Sequence, residues 1–254
     1  MDRQTNYTIM EGYELPSQGK IYDKEVNPHI ELRSMTARDE MKRLSPSTTP
    51  LKTLADIIEG CCIEKPAIHV YDMCMGDYEF LLHKLRIVTY GEKYKLNCRC
   101  VHCLATVESE MDLGTLELKE FDEEKYNELK TFTLPISKKT ISLKNPSPHI
   151  LEDAEIKAKE MKRKYKTAQL DWEVYCKLLC TIETVDNIKY NQFDLEKIIN
   201  DLPARDMQKI LNSIDLLQLA VGLDNVFELT CPNCGEDFTS FFRYGPEFFR
   251  PTNI

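Results

Sequence analysis

Two separate parts of the chain alternate between apolar and polar residues, which is the pattern of β-strands with one buried face. Each part contains two alternating segments around a short cysteine-containing turn, namely 94–97 with 106–111, and 227–230 with 238–243. The alternation therefore predicts two strand–turn–strand hairpins, one within residues 92–115 and the other within residues 226–245.

Residues 1–91 carry signals of short strands and helices. The ranges 21–22 and 30–33 are predicted strands on either side of an Asn-Pro turn. Three predicted helices follow, which run from Thr36, from Pro50 to near Gly60, and from Asp77 to Tyr90. In the third helix Asp77 is the predicted N-cap, and Gly91 is the C-terminal stop.

Residues 129–222 separate the two cysteine hairpins and are predicted to be ordered throughout. A further hairpin is indicated at 129–143, because alternation returns there around a Ser-Lys-Lys turn. Helices are predicted from Glu152 to about Ala168, from Trp172 to Ile182, after a cap at Asp194, and from Pro203 to Gly222. The lysine-rich helix after Glu152 is interleaved with acids, so we expect a solvated helix there and not a nucleic-acid or membrane surface.

These elements predict an α+β fold that is mainly helical with short strands. We divide the chain into residues 1–91, with the N-terminal strands and helices, and residues 92–254. The second part contains the two cysteine hairpins as the halves of a split zinc ribbon, with residues 129–222 as an insertion between them. We expect both parts to form one compact unit.

The chemistry that stands out is a pair of C-x-x-C turns, which we call the first knuckle (Cys100 to Cys103) and the second knuckle (Cys231 to Cys234). Structural zinc takes four ligands in a tetrahedron, and two such turns supply four thiolates. Backbone N–H groups of the turns can then support the sulfurs. We therefore predict a structural zinc bound by Cys100, Cys103, Cys231 and Cys234, against the alternative of four unrelated buried thiols.

Two neighbours leave the ligand choice open. Cys98 lies two residues before Cys100 and is an alternative ligand, and His102 inside the first knuckle is a weaker one. A redox site is the other interpretation, since Cys-Pro-x-Cys occurs in thiol oxidoreductases at the start of a helix. The segment after Cys234 has a strand pattern, which argues against that reading.

Charge and composition narrow the functional classes. The 254 residues include 42% hydrophobic ones, enough for a packed core, and the net charge of −9 argues against a surface that follows phosphates. No apolar run approaches the roughly 20 residues of a membrane span, and the N-terminus lacks a signal-peptide core. We therefore expect folding in a cytosol, protein partners, and neither nucleic acid nor a small-molecule substrate as the main ligand.

The remaining chemically interesting residues have simpler interpretations. Five further cysteines are expected to be core thiols in a reducing compartment: Cys61, Cys62, Cys74, Cys176 and Cys180. Arg86 is expected to be solvated or salt-bridged on the outer side of its helix. No catalytic motif or histidine spacing indicates an active site, so we expect a protein that is not an enzyme.

Several short motifs, taken in order, resemble those of the baseplate hub or hub-assembly proteins of T4-type contractile-tailed bacteriophages. They are Leu15-Pro-Ser-x-Gly19-x-x-Tyr22, Met35-Thr-x-Arg-Asp-Glu40, Gly76-Asp77 with Leu81-Leu82 and Leu85-Arg86, Tyr90-Gly91-x-x-Tyr94, the two knuckles, and Phe248-Phe-Arg-Pro251. The knuckles are the most specific element. A first knuckle with the additional Cys98 departs from the pattern.

The resemblance implies a non-enzymatic protein of the virion tail baseplate, or of its assembly in the host cytoplasm, that binds other tail proteins. Within that function, zinc would clamp the ends of the insertion. Phe241 and Phe242 are expected in the core, and Phe248 and Phe249 are expected at a docking surface. The competing hypothesis is a zinc-ribbon nucleic-acid accessory protein, which the acids beside the knuckles disfavour: Glu108, Glu110, Asp112, Glu236 and Asp237.

Overall fold

A computed structural model describes residues 8–167, 169–242, 244 and 246–249. The strands are β1 (Met10–Glu14), β2 (His29–Arg33), β3 (Lys93–Arg99), β4 (Thr106–Asp112), β5 (Thr131–Thr133), β6 (Thr140–Leu143), β7 (Ile182–Val185), β8 (Val226–Thr230) and β9 (Asp237–Phe241). The helices are α1 (Ala37–Leu44), α2 (Pro50–Cys61), α3 (Met75–Tyr90), α4 (Glu123–Lys130), α5 (Pro148–Lys164), α6 (Trp172–Thr181), α7 (Gln192–Asn200) and α8 (Ala204–Leu219). Three short 3-10 turns lie at Val70–Asp72, Leu113–Thr115 and Pro246–Phe249.

The strands form small antiparallel sheets and not one large sheet. β1 pairs with β2, β3 with β4, and β8 with β9, while β5, β6 and β7 form a three-stranded sheet. In the first cysteine hairpin Cys98 lies opposite Val107, and in the second Leu229 lies opposite Phe238. The prediction of helices combined with short antiparallel strands is confirmed, and both cysteine hairpins lie where the alternation predicted them.

One predicted strand, two predicted helix caps and the predicted start of one helix are wrong. The predicted strand at 21–22 is a turn, and the partner of β2 is the earlier strand β1. Asp77 is not the cap of α3, since the Cys74 sulfur accepts from its N–H, and Asn191 caps α7 in place of Asp194. α5 begins earlier than predicted, at Pro148, and ends at Lys164; its predicted end at Ala168 lies outside the described residues.

In the described part of the chain, the buried side chains form four clusters. The first unites residues of α2 and α3 with Tyr94, Leu113, Leu223, Phe242, Phe248 and Phe249, so it contains residues from both sides of the predicted boundary at 91. The second fills the insertion between β5–β7 and helices α6, α7 and α8. The third lies between the two cysteine hairpins, and the fourth between α5 and α6. Among the described helices, none combines the length and apolar character needed to cross a membrane.

Candidate metal centre

The two knuckles have the same backbone geometry. In each, the N–H of the first cysteine donates to the carbonyl five residues later, at 2.9 Å. The N–H of the residue after the second cysteine donates back to the first cysteine's carbonyl, at 3.0 Å in the first knuckle and 2.8 Å in the second. That following residue is left-handed in both, Leu104 with φ 62° and Gly235 with φ 76°. The knuckles are therefore structural equivalents.

The four cysteine sulfurs of the knuckles come together across the gap in sequence. Their Sγ atoms all lie within 4.8 Å of one another, and two contacts join opposite knuckles: Cys100 to Cys234 at 3.8 Å and Cys103 to Cys231 at 3.6 Å. Zinc–sulfur bonds of about 2.3 Å in a tetrahedron place the sulfurs about 3.8 Å apart. The donor set and its spacing fit a tetrahedral metal ion of that kind.

Neighbouring N–H groups donate hydrogen bonds to two of these sulfurs. The Asn233 side-chain amide, which donates to the Cys103 sulfur at 3.5 Å, and the Ala105 N–H together lower the pKa of Cys103 to about 6. The N–H of Glu236 acts to lower the pKa of Cys234, but burial and the other three sulfurs raise it to about 12. Four thiolates this close repel one another, so a bound cation is what would allow all four to ionise.

Cys98 and His102, the two alternative ligands, have other partners. The Cys98 sulfur is buried on β3 and accepts a hydrogen bond of 3.4 Å from the Ser240 hydroxyl. His102 Nε2 lies 3.1 Å from the Asp237 carbonyl and so links the two knuckles through the second hairpin. The group of sulfurs that can hold a metal consists of Cys100, Cys103, Cys231 and Cys234.

A small apolar core positions the two hairpins against each other. Val107 of β4 and Phe238 of β9 are buried together with Cys98, Cys100 and Cys231, and partly buried side chains surround them: Leu96, Cys103, Phe227 and Leu229. Cys100 and Cys231, the first cysteines of the knuckles, are fully buried, whereas Cys234 is exposed. The acids that flank the knuckles are exposed, namely Glu108, Glu110, Asp112, Glu236 and Asp237.

The other cysteines are separate from this cluster. Cys61, Cys74, Cys176 and Cys180 are buried and Cys62 is half-buried. Burial raises the pKa of each of these five thiols. The prediction of core thiols is confirmed for the four buried residues.

The polar residues of the quoted N-terminal motif surround a buried carboxylate. Asp77 accepts hydrogen bonds from the Ser17 N–H at 2.9 Å, the Ser17 hydroxyl at 2.5 Å and the Tyr22 hydroxyl at 2.6 Å. The left-handed Gly19, with φ 72°, lies so close to the Val26 carbonyl that a Cβ atom would stand 2.3 Å from that oxygen. Leu-Pro-Ser-x-Gly-x-x-Tyr is therefore a loop built around Asp77.

Arg86 is buried, which contradicts the expectation of a solvated side chain on the outer side of its helix. Its guanidinium donates to the carbonyls of Gly91, of Lys93 at 3.0 Å and of Phe248 at 3.3 Å. It also lies over the rings of Tyr90 and Tyr94, at 5.7 Å and 5.6 Å from their centroids. Arg86 thus joins the end of α3, the start of β3 and the C-terminal segment.

The aromatic residues near the C-terminus also differ from expectation. Phe248 and Phe249 are buried, so their predicted docking role is wrong. Phe248 stacks on the buried ring of His83, at 6.2 Å between centroids. Phe242 is buried as predicted, whereas Phe241 is 53% exposed. Arg250 and Pro251, which complete the quoted C-terminal motif, lie outside the described residues.

Sequence reasoning missed three residues that link distant segments. Asn233 is inside the second knuckle but acts on Cys103. Glu152 of α5 accepts from the N–H groups of Leu51 and Lys52, and Asp206 of α8 accepts from the turn between β5 and β6. A polar residue between two cysteines is a local signal for Asn233, but the partners of Glu152 and Asp206 are set only by the tertiary fold.

Comparison with known proteins gives one match. A family model described as T4 bacteriophage base plate protein matches residues 8–250, which is nearly the whole chain. No curated protein and no solved structure was found to match the chain significantly.

Proposed function

Because the chain belongs to the T4 bacteriophage base plate protein family, we propose that it is a structural or assembly protein of the baseplate hub. It binds other tail proteins and performs no catalysis. Support comes from how its buried polar groups are used, since Asp77 and Arg86 hold distant chain segments together. Residues of this kind stabilise a rigid shape, which is what an assembled tail requires.

The observation that carries the proposal is the cluster of four sulfurs from two knuckles that are far apart in sequence. In our proposal the cluster binds a structural zinc ion, with Cys100, Cys103, Cys231 and Cys234 as its ligands. Zinc would hold the two hairpins together and so fix both ends of the insertion. Structural zinc contributes on the order of 10 kcal/mol or more of binding free energy, which becomes folding free energy in such sites.

Metal analysis of the purified protein tests the zinc. We expect one zinc ion per chain, lost in Cys100→Ser and retained in Cys98→Ser, because the Cys98 sulfur lies outside the cluster and contacts Ser240. Iron in place of zinc would change the metal but keep the clamp, since tetrahedral thiolate sites also bind iron. No bound metal, together with four freely reactive knuckle thiols, would contradict the proposed clamp.

Fractionation of infected cells tests the place of action. A component of the virion co-purifies with mature particles, whereas an assembly protein is found only with baseplate intermediates in the host cytoplasm. Either result supports the proposed class. Absence of the protein from both fractions would contradict it, and salt-sensitive binding to DNA or RNA would favour a nucleic-acid accessory protein instead.

A further inference from the structure

The third residue of each knuckle reaches across to the opposite hairpin. His102 and Asn233 occupy equivalent positions, since each directly precedes the second cysteine of its knuckle. The His102 ring lies 3.1 Å from the Asp237 carbonyl of the second hairpin, and the Asn233 amide lies 3.5 Å from the Cys103 sulfur of the first. Two knuckles with the same backbone therefore exchange side chains, but these side chains contact different kinds of atom.

This exchange makes the second cysteines of the two knuckles unequal. Each sulfur receives a backbone N–H from the residue two positions later, which is Ala105 in the first knuckle and Glu236 in the second. Cys103 has the Asn233 amide in addition, whereas the side-chain partners of Cys234 among the described residues are the other three sulfurs. Cys234 is also exposed, while Cys103 is half-buried. Because the backbones match, Asn233 is the source of the difference in hydrogen bonding.

An N–H group at a thiolate sulfur has a defined effect on a metal site. Four thiolates around one divalent ion leave an excess of negative charge, which the partial positive charge of an N–H group offsets. A sulfur that accepts such a hydrogen bond also donates less electron density and is a weaker nucleophile. The Asn233 amide should therefore hold the Cys103 sulfur in place as a ligand and reduce its reactivity.

We propose that Asn233 is a positioning residue of the metal site, which makes Cys103 the anchored ligand and leaves Cys234 as the ligand that is released first. The four sulfurs lie within 4.8 Å of one another, so their distances alone set no such order. His102, at the equivalent position, joins the hairpins through a carbonyl, and so it acts on their packing and not on a sulfur. This inference rests on the metal binding proposed above.

A matched pair of substitutions separates these two roles. Asn233→Leu and His102→Leu each keep a side chain of similar size at equivalent positions and remove its hydrogen bond. The full-length chain is loaded with cobalt(II), which occupies tetrahedral thiolate sites and gives sulfur-to-cobalt charge-transfer bands. Absorption spectra report the electron donation from the sulfurs, and competition with a chelator reports the affinity for zinc. Asn233→Ala repeats both measurements with a smaller side chain.

We expect Asn233→Leu to move the charge-transfer band to longer wavelength, because a sulfur without its N–H donor gives up electrons more readily. The affinity for zinc should fall about tenfold, the lower end of the range for loss of a group that supports a metal ligand. His102→Leu should leave the band in place. After brief alkylation of the zinc-loaded wild type, peptide mapping should find Cys234 modified before Cys103. Asn233→Leu should increase the rate of modification of Cys103.

Three results would overturn the inference. An unchanged cobalt band in both Asn233 variants would show that the amide does not act on a sulfur. Equal band shifts in Asn233→Leu and His102→Leu would mean that both contacts act only through the packing of the hairpins. Alkylation of Cys103 before Cys234 in the wild type would reverse the order of the ligands. If the wild-type chain binds neither cobalt nor zinc, the proposed metal site itself fails, so the two failures are distinguishable.

Discussion

A single buried guanidinium holds together three segments of the chain. Arg86 donates to carbonyls at the end of α3, at the start of β3 and in the C-terminal segment. Burial lowers the pKa of Arg86 below its ordinary value, against the opposing effect of Tyr94 and Tyr90. Its planar fork reaches several carbonyls at once, which an ammonium group cannot do in the same geometry.

Arg86→Lys should therefore destabilise the fold even though it keeps the charge. We expect a loss of about 2–4 kcal/mol in the free energy of unfolding, because buried carbonyls lose hydrogen bonds to a charged donor. Urea unfolding of the metal-loaded protein measures the loss. Arg163→Lys on the exposed end of α5 is the control and should change stability by less than about 0.5 kcal/mol. Equal effects of both variants would contradict the role of Arg86.

A second prediction for a single residue concerns Asp77 and the pH dependence of the free energy of unfolding. Burial raises the pKa of its carboxyl above the ordinary 3.8, although hydrogen bonds from Ser17 and Tyr22 act to lower it. A carboxyl with a raised pKa binds its proton more tightly in the folded state. Its contribution to stability is therefore greatest at acid pH and falls as the pH rises through the folded pKa.

Asp77→Asn removes this titration and approximates the protonated side chain. The free energy of unfolding of the wild type minus that of Asp77→Asn should decrease as the pH rises above 3.8. Urea titrations at a series of pH values measure the difference, and other titrating groups cancel in it. A difference that stays constant or increases with pH would mean that the folded state favours the ionised carboxylate.

At the scale of elements, one helix is capped by another that lies far away in the sequence. Thr49, the N-cap residue of α2, makes no side-chain hydrogen bond to the helix. Glu152 of α5 instead accepts from the N–H groups of Leu51 and Lys52, at 2.9 Å and 3.3 Å, and from the Tyr71 hydroxyl at 2.7 Å. A carboxylate at this end also complements the helix dipole.

Glu152→Gln keeps the size of the side chain but removes its charge. We expect a loss of about 1–2 kcal/mol in unfolding free energy, which is the range for a lost cap with its dipole interaction. Glu155→Gln on the same helix is the control. Glu155 is exposed and pairs with Lys159, and such surface pairs contribute about 0.5 kcal/mol or less. Thermal unfolding compares them, and a larger effect of Glu155→Gln would refute the cap.

The elements that could be predicted are those whose signals are local. Alternation identified β3, β4, β8 and β9, because one face of each hairpin is buried against the other. β7 is four residues long and follows α6 without a break, so no turn signal separates them. Local rules also failed for caps with several acceptable residues, as at Asn191 and Asp194, where only tertiary packing fixes the start of the helix.

At the scale of the molecule, the candidate metal site was more predictable than its surroundings. Zinc binds four thiolates in one tetrahedral arrangement. The spacing of the two C-x-x-C turns was therefore enough to predict that Cys100 and Cys234 lie close together. Phe248 has no comparable restriction, because an aromatic residue near a terminus packs or docks depending on what lies beside it. Its partners, His83 and Arg86, are more than 160 residues away in sequence.

The molecule also contains two regions that should respond differently to loss of the proposed metal. The core between the hairpins has five described buried residues, two of them cysteines of the cluster, whereas the core that fills the insertion has sixteen, all but Ile21, Cys74 and Tyr126 within residues 129–222. Without a metal the hairpins keep little apolar burial to oppose the entropy of opening. The insertion retains its own core around β5, β6 and β7.

Removal of the proposed metal with a chelator under reducing conditions should therefore loosen the molecule locally. Hydrogen exchange should accelerate on β3, β4, β8 and β9, while amides of β5–β7 and α8 stay protected. The reason is that proteins open locally in cooperative units, and only the two hairpins lose a stabilising interaction with the metal. Mass spectrometry of exchanged peptides measures both regions. The same regional pattern in Cys100→Ser without chelator, and its absence in Cys98→Ser, would attribute the effect to the cluster. Equal acceleration of exchange throughout would mean that the metal clamp stabilises the whole chain as one cooperative unit. No acceleration would mean that the two hairpins stay packed together without a metal.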